Sequence, residues 1–159
     1  RNPQLMRVWR ISRQAYAADS LVGTGGLYVS GRWHHRGRPI VYTSATPSLA
    51  ALEVLCHVDP ALAPSDLRLI EIDVPDALLV EECDPVRLTA DWQAFPAPVA
   101  LQDFGSAWVS ELRTPVLSVP SAVLAVERNY ILNPAHPDAA QIKIVRVQAF
   151  SFDPRLLAG

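Results

Sequence analysis

Lysine is nearly absent from this chain, and arginine carries almost all of its basic charge. The 159 residues hold 14 basic against 16 acidic side chains, a formal net charge of −2. Counterion release from nucleic acid needs clustered cations, which this balance does not supply, so no direct nucleic-acid contact is expected. No stretch nears the roughly 20 apolar residues that cross a bilayer, and no charged segment followed by an apolar core opens the chain. It reads as soluble and cytoplasmic, without a membrane partner. Cysteine stops at Cys56 and Cys83. Cys56 falls on an apolar helix face, as a small buried hydrophobe would, and both thiols are expected to be reduced. Glycine-rich phosphate loops of the Walker or Rossmann kind are missing, as is the paired spacing of a zinc site. The adjacent His34 and His35 would point to opposite faces of an extended strand, so they read as surface polar residues and no metal site is expected.

What the chain does have is apolar content: half of its residues are hydrophobic, enough for one core and not for two. A single domain over residues 6–159 is expected, with residues 1–5 read as a cloning remnant ahead of Met6. Alternation predicts a first strand at 6–11, with Arg10 on the face opposite Trp9 and Ile11. Residues 17–37 read as a long loop with a short strand at 27–29, and loops of that length usually serve a function. A strand at 39–43 follows, then Thr46 and Pro47 as N-cap and first residue of a helix over 47–57. Further strands are expected at 68–74, 116–119, 122–126 and 141–152, the last with a bulge near Ile144-Val145. Helices are expected at 84–92 and 103–112. Mixed elements without βαβ repetition predict an α+β fold: a central, mostly antiparallel sheet with flanking helices.

Three residues stand out from that frame. The 47–57 helix is apolar around most of its circumference, which predicts burial. Glu53 shares with Ala50 and His57 the remaining narrow sector, which must face water, a partner or a ligand. Arg32 follows Gly25-Gly26 and Gly31, glycines that can take positive φ or admit a ligand closely, so its guanidinium can meet an anion; the plain alternative is a hydrated loop arginine beside Arg36 and Arg38. Tyr42 offers an aromatic hydroxyl on the intervening strand. Together they suit a substrate with phosphate, a ring and developing positive charge.

The motifs Gly31-Arg32-Trp33, Gly37, Tyr42-Thr43-Ser44, Ala51-Leu52-Glu53, Val119-Pro120-Ser121, Asn129-Tyr130 and Asn133-Pro134 resemble, in order, those of the RES domain, a family named for Arg, Glu and Ser. Those three stand here as Arg32, Glu53 and Ser121, and the resemblance spans about 8–152. It implies a toxin of a bacterial toxin-antitoxin pair, an Xre-type helix-turn-helix antitoxin as partner, a fold similar to ADP-ribosyltransferases, and NAD as a consumed substrate rather than a recycled cofactor. A homodimer inside the toxin-antitoxin complex is also implied.

Under that resemblance Arg32, Tyr42 and Glu53 are the catalytic candidates, with Arg10, Arg32, Tyr42, Ser121 and Asn129 as NAD-binding candidates. Cleaving the nicotinamide–ribosyl bond leaves an oxocarbenium-like sugar, which a carboxylate such as Glu53 stabilises and can orient through a ribose hydroxyl. Arg32 would fork onto the pyrophosphate. Arg10, by analogy with the first-strand arginine of many ADP-ribosyltransferases, is either an anion contact or half of a structural salt bridge. Tyr42 would stack on nicotinamide or donate to the ribose. Ser121 would bind phosphate or ribose, or hold Glu53; Asn129 would bond substrate or cap a turn. No Gly-x-Ser-x-Gly elbow surrounds Ser121, which argues against a serine hydrolase. The expected activity is NAD hydrolysis or phosphorolysis. ADP-ribosyl transfer to a protein is the second reading, and a non-catalytic antitoxin-binding module the reading from another class.

Overall fold

The computed structural model describes residues 5–158; residues 1–4 of the segment read as a cloning remnant lie outside that range, while Leu5 opens the first strand. Among the described residues seven strands are formed: β1 (Leu5–Arg13), β2 (Val41–Ser44), β3 (Leu67–Pro75), β4 (Val80–Glu82), β5 (Val116–Pro120), β6 (Arg128–Leu132) and β7 (Lys143–Ala149). They make one sheet in the order β4-β5-β6-β2-β1-β3-β7, antiparallel throughout except for the parallel β4–β5 pair. The helices are α1 (Gln14–Ala17), α2 (Gly25–Tyr28), α3 (Pro47–Leu55), α4 (Val99–Ser110) and α5 (Pro154–Leu157). The expected α+β architecture is present.

The sheet's centre follows from alternation. β1 and β3 pair in register from Leu5↔Pro75 to Arg13↔Leu67, burying Val8, Ile70, Ile72 and Val74, while Glu71 and Asp73 turn to the other face and pair with Arg7. Opposite β3, Glu71 pairs with Arg146 and Ile72 with Ile144, so Val145 is the extra residue of a bulge where the change of face was expected.

Two helices frame the site. Thr46 Oγ1 accepts from the Leu49 amide at 3.1 Å and Pro47 opens α3, a cap that contributes about 1 kcal/mol. Only Leu49 and Ala50 of α3 are buried, so the expectation of an all-round buried helix fails; Leu52 is 37% exposed and Cys56 is exposed. One side of α3 packs on the sheet, against Ile11, Leu67 and Phe152, and its apolar excess faces outward. In α4, Leu101, Gly105, Trp108 and Val109 are buried at helical spacing against Leu117, Val119, Ile131 and Trp33. A Cβ at Gly105 would sit 1.7 Å from the Trp33 carbonyl oxygen, so α4 rests its backbone directly on the loop that carries Arg32.

Three local expectations are corrected. Residues 25–28 form helix α2, where a strand at 27–29 was expected. Within 84–92 there is only a short 3-10 turn, Pro85–Arg87; Val86 is 88% exposed, and Leu88 and Trp92 reach the core from outside a regular helix. The 122–126 strand is a turn, because Ser121 Oγ captures the amides of Val123 and Leu124, each at 3.1 Å, before they can enter a ladder. Strands β4 and β6 were missed: the first is three residues long, and the second opens on Arg128-Asn129, which reads as turn chemistry.

Candidate active site

A cavity of about 680 Å³ opens between β1, β2, α3 and the loop of residues 29–33. Ala50, Glu53 and His57 line it, so the polar sector of α3 does face a concave site. Trp9, Val54 and Phe95 supply apolar wall, while Arg10, Arg32, Tyr42 and Asn129 supply polar groups. Five of the six singled-out residues therefore converge. Ser121 alone is not on the wall; it is fully buried behind Glu53.

Glu53 is held from one side. Its Oε1 accepts from Ser121 Oγ at 2.7 Å and from Asn129 Nδ2 at 2.8 Å. Ser121 can do this because its position just past β5 leaves its single hydrogen for Glu53 while its lone pairs take the Val123 and Leu124 amides. Asn129 stands directly across the β2–β6 ladder from Ser44, and Ser44 Oγ donates to Asn129 Oδ1 at 2.8 Å. Glu53 Oε2 has no protein partner among the described residues, and the carboxylate lines the cavity.

The cations are arranged differently. Arg10 donates from Nη1 to the Tyr42 carbonyl at 3.0 Å, while its Nε is buried without a partner among the described residues. It forms no salt bridge with a described carboxylate, so the structural ion-pair alternative fails. Burial lowers its pKa, yet an arginine keeps its charge. Arg32 donates from Nη1 to the carbonyls of Trp92 and Ala94, both at 3.0 Å, which leaves Nε and Nη2 uncommitted among the described residues. Desolvation lowers its pKa, and the Glu53 carboxylate acts in the opposite direction.

Tyr42 is committed elsewhere than expected. His34 is buried, and its Nε2 lies 2.9 Å from the Val29 carbonyl, which can only accept. Burial pushes the imidazole pKa down, so the ring is neutral and Nδ1 is its acceptor. The Tyr42 hydroxyl, 2.7 Å away, spends its one hydrogen there and accepts the Trp33 amide at 3.0 Å. Burial raises the phenol's pKa well above its ordinary value, which keeps that hydrogen in place. Donation to a ribose is ruled out; the ring remains as wall, and the hydroxyl braces the turn that carries Arg32. Gly31 completes the brace, since a Cβ there would meet the Tyr42 oxygen at 2.6 Å. The closeness anticipated for a ligand at Gly31 is thus closeness to the tyrosine.

His34 is therefore not a surface residue; His35 is exposed, its Nε2 2.7 Å from Asp103 Oδ1. Among the described residues no three His, Cys, Asp or Glu side chains are grouped to hold a metal ion. Both cysteines are free, but Cys83 is the buried one. No helix among the described residues is long and apolar enough to cross a membrane. Sequence reasoning missed Trp9, Phe95 and Ser44, whose apolar or small side chains gave no signal apart from the fold.

The family model of the RES domain matches residues 7–153. The chain belongs to the RES domain family. Among curated relatives, "Toxin Res" of Pseudomonas putida is 42% identical over 153 residues, covering 95% of this chain and 99% of the relative. The "Prs ADP-ribosylating toxin" of a Sphingobium species is 40% identical over 153 residues, covering 94% of this chain and 95% of the relative. In fold, the RES domain here is similar to a chain of the M. tuberculosis MbcT-MbcA toxin-antitoxin complex, with a TM-score of 0.73 at 21% identity, over 98% of this chain and 88% of that one. This RES chain is a toxin of the same family as its curated relatives.

Proposed function

We propose that this RES toxin breaks the nicotinamide–ribosyl bond of NAD. The observation that carries the reading is one cavity holding a carboxylate with a bound and an unbound oxygen, opposite two guanidiniums with donors to spare. The pyrophosphate meets Arg32, and Arg10 adds positive charge to the same cavity. The free Oε2 of Glu53 faces the sugar, where it stabilises positive charge as the C–N bond lengthens, and Asn129 has a second Nδ2 hydrogen for a ribose hydroxyl. The Tyr42 ring gives the flat base a platform. Nicotinamide leaves with the bonding pair as a neutral base, and a water or phosphate oxygen forms the new bond to the anomeric carbon, losing its proton to solvent. NAD is a substrate consumed in this chemistry and no cofactor is needed. The cognate partner is an antitoxin of the Xre helix-turn-helix type, which supplies the DNA contact that this acidic toxin lacks, and the toxin sits in that complex as a homodimer in the cytoplasm.

A second reading is favoured by one observation. The Sphingobium relative, 40% identical, is named for ADP-ribosylation, so the acceptor of the ribosyl carbon can be a protein group. The test incubates antitoxin-free protein with NAD, with and without inorganic phosphate. Nicotinamide plus ADP-ribose is hydrolysis; nicotinamide plus phosphorylated ADP-ribose, formed only with phosphate, is phosphorolysis. Adenylate label on a macromolecule is transfer to protein. Untouched NAD, with tight antitoxin binding, would favour a binding module and overturn the proposal.

A further inference from the structure

Ser44 does not line the cavity for what its hydroxyl can reach there, because that hydroxyl is spent on Asn129 Oδ1 at 2.8 Å. The residue is 4% exposed and sits at the last position of β2, paired with Asn129 on one side and with Trp9 on the other. Asn129 in turn spends one Nδ2 hydrogen on Glu53 Oε1. We propose that Ser44 is a positioning residue for the NAD reaction: it fixes the Asn129 amide so that its NH2 end faces Glu53, and thereby fixes which carboxylate oxygen stays free for the sugar. This rests on the NAD reading for its kinetic consequence, though not for the orientation of the amide.

An ionised carboxylate only accepts, so a primary amide helps it through nitrogen and repels it through oxygen. Asn129 borders an open cavity, where its oxygen can turn toward water and swing the nitrogen off Glu53. Ser44 prevents this by giving Oδ1 a buried donor, and a donor on the carbonyl also polarises the amide and strengthens the bond from Nδ2 to Glu53. Ser121 brings the second donor to the same oxygen from a closed turn. With Ser121 and Asn129 both on Oε1, the carboxylate plane is set and Oε2 is presented to the cavity. Removing Ser44 leaves Ser121 as a single pivot about which the carboxylate can rotate.

The test is a double-mutant cycle on nicotinamide release, joined to an amide measurement that needs no substrate. In the otherwise wild-type toxin, Ser44→Ala lowers kcat about tenfold and leaves KM for NAD within about twofold, since positioning errors at the reacting centre act on the transition state. In an Asn129→Ala background the same substitution has no further effect. Ser44→Cys, nearly isosteric but a poor donor, behaves as Ser44→Ala does, which separates the hydroxyl from packing. In nitrogen-15 spectra the two Asn129 side-chain amide protons of wild type are distinct and slow to exchange, and in Ser44→Ala they approach the free-amide positions. Independent, multiplicative losses in the cycle, or a KM rise with kcat intact, would overturn the proposal. Unchanged Asn129 amide signals in Ser44→Ala would overturn it as well. Should wild type leave NAD untouched, the NAD reading fails on its own, and the amide spectra still decide whether Ser44 orients Asn129.

Discussion

The two sides of the cavity are built on opposite terms. On the carboxylate side, Glu53, Ser121, Asn129 and Ser44 stand on or just beyond regular elements, and every hydrogen-bonding atom but Oε2 and one amide N–H of the set that meets the cavity is committed. On the cationic side, Arg10 keeps a buried Nε without a partner among the described residues, and Arg32 hangs from a loop by one nitrogen. The difference teaches where each part of the work is done. Under the proposed NAD reaction, the preorganised carboxylate would meet the developing charge, and the uncommitted Nε and Nη2 of Arg32 would be completed by the ligand's own anion. The carboxylate side should then control kcat and the cationic side KM.

The largest effect that separates the sides is Glu53→Gln. It keeps the shape and removes the charge, and kcat should fall by about 10²–10³ while KM stays within a few fold; steady-state nicotinamide release reads both. Next, Arg32→Ala should raise KM for NAD by about 10- to 100-fold, the scale of one lost charge-assisted bidentate contact, with a smaller loss in kcat. If Arg32→Ala instead lowers kcat alone, the division between the sides is wrong.

Arg10→Met sharpens the comparison through stability. A buried cation with no carboxylate partner costs the folded state, so the variant should melt no lower than wild type in calorimetry while NAD binding weakens by about tenfold. A lower melting temperature with unchanged NAD affinity would make Arg10 a structural residue.

A smaller effect concerns the brace on the Arg32 turn. Burial holds the His34 pKa below its ordinary value. As pH falls through about 6.5 the unfolded chain takes up the proton and the folded chain does not, so the unfolded state holds more protons and stability declines with falling pH until the folded pKa is passed. His34→Gln should flatten that decline in melting temperature between about pH 6.5 and the lower folded value. The smallest effect is expected from Cys56→Ser: the thiol is exposed and outside the cavity, and both stability and turnover should stay within error.

Much of this was legible in the sequence because it rests on local rules. The alternation of β3, the Thr46-Pro47 start of α3 and the Val145 bulge each follow from side-chain period or cap chemistry, and Glu53 was visible as a carboxylate on the one polar sector of an apolar helix. The motif order brought Arg32, Glu53 and Ser121 forward. What stayed hidden depends on long-range pairing. Nothing near Ser44 in the chain indicates Asn129; only the β2–β6 ladder sets them opposite each other. The commitment of the Tyr42 hydroxyl needed the buried tautomer of His34, and the missing partner of Arg10 Nε is a property of its surroundings, not of β1. Residues 84–92 show the reverse error, a plausible helical pattern whose Leu88 and Trp92 reach the core without forming a helix.

The most direct test measures NAD binding by calorimetry and single-turnover nicotinamide release for the same Glu53→Gln preparation. Affinity should stay within a few fold of wild type while release slows by about 10²–10³. Release at the wild-type rate, or a variant that folds and no longer binds NAD, would contradict it.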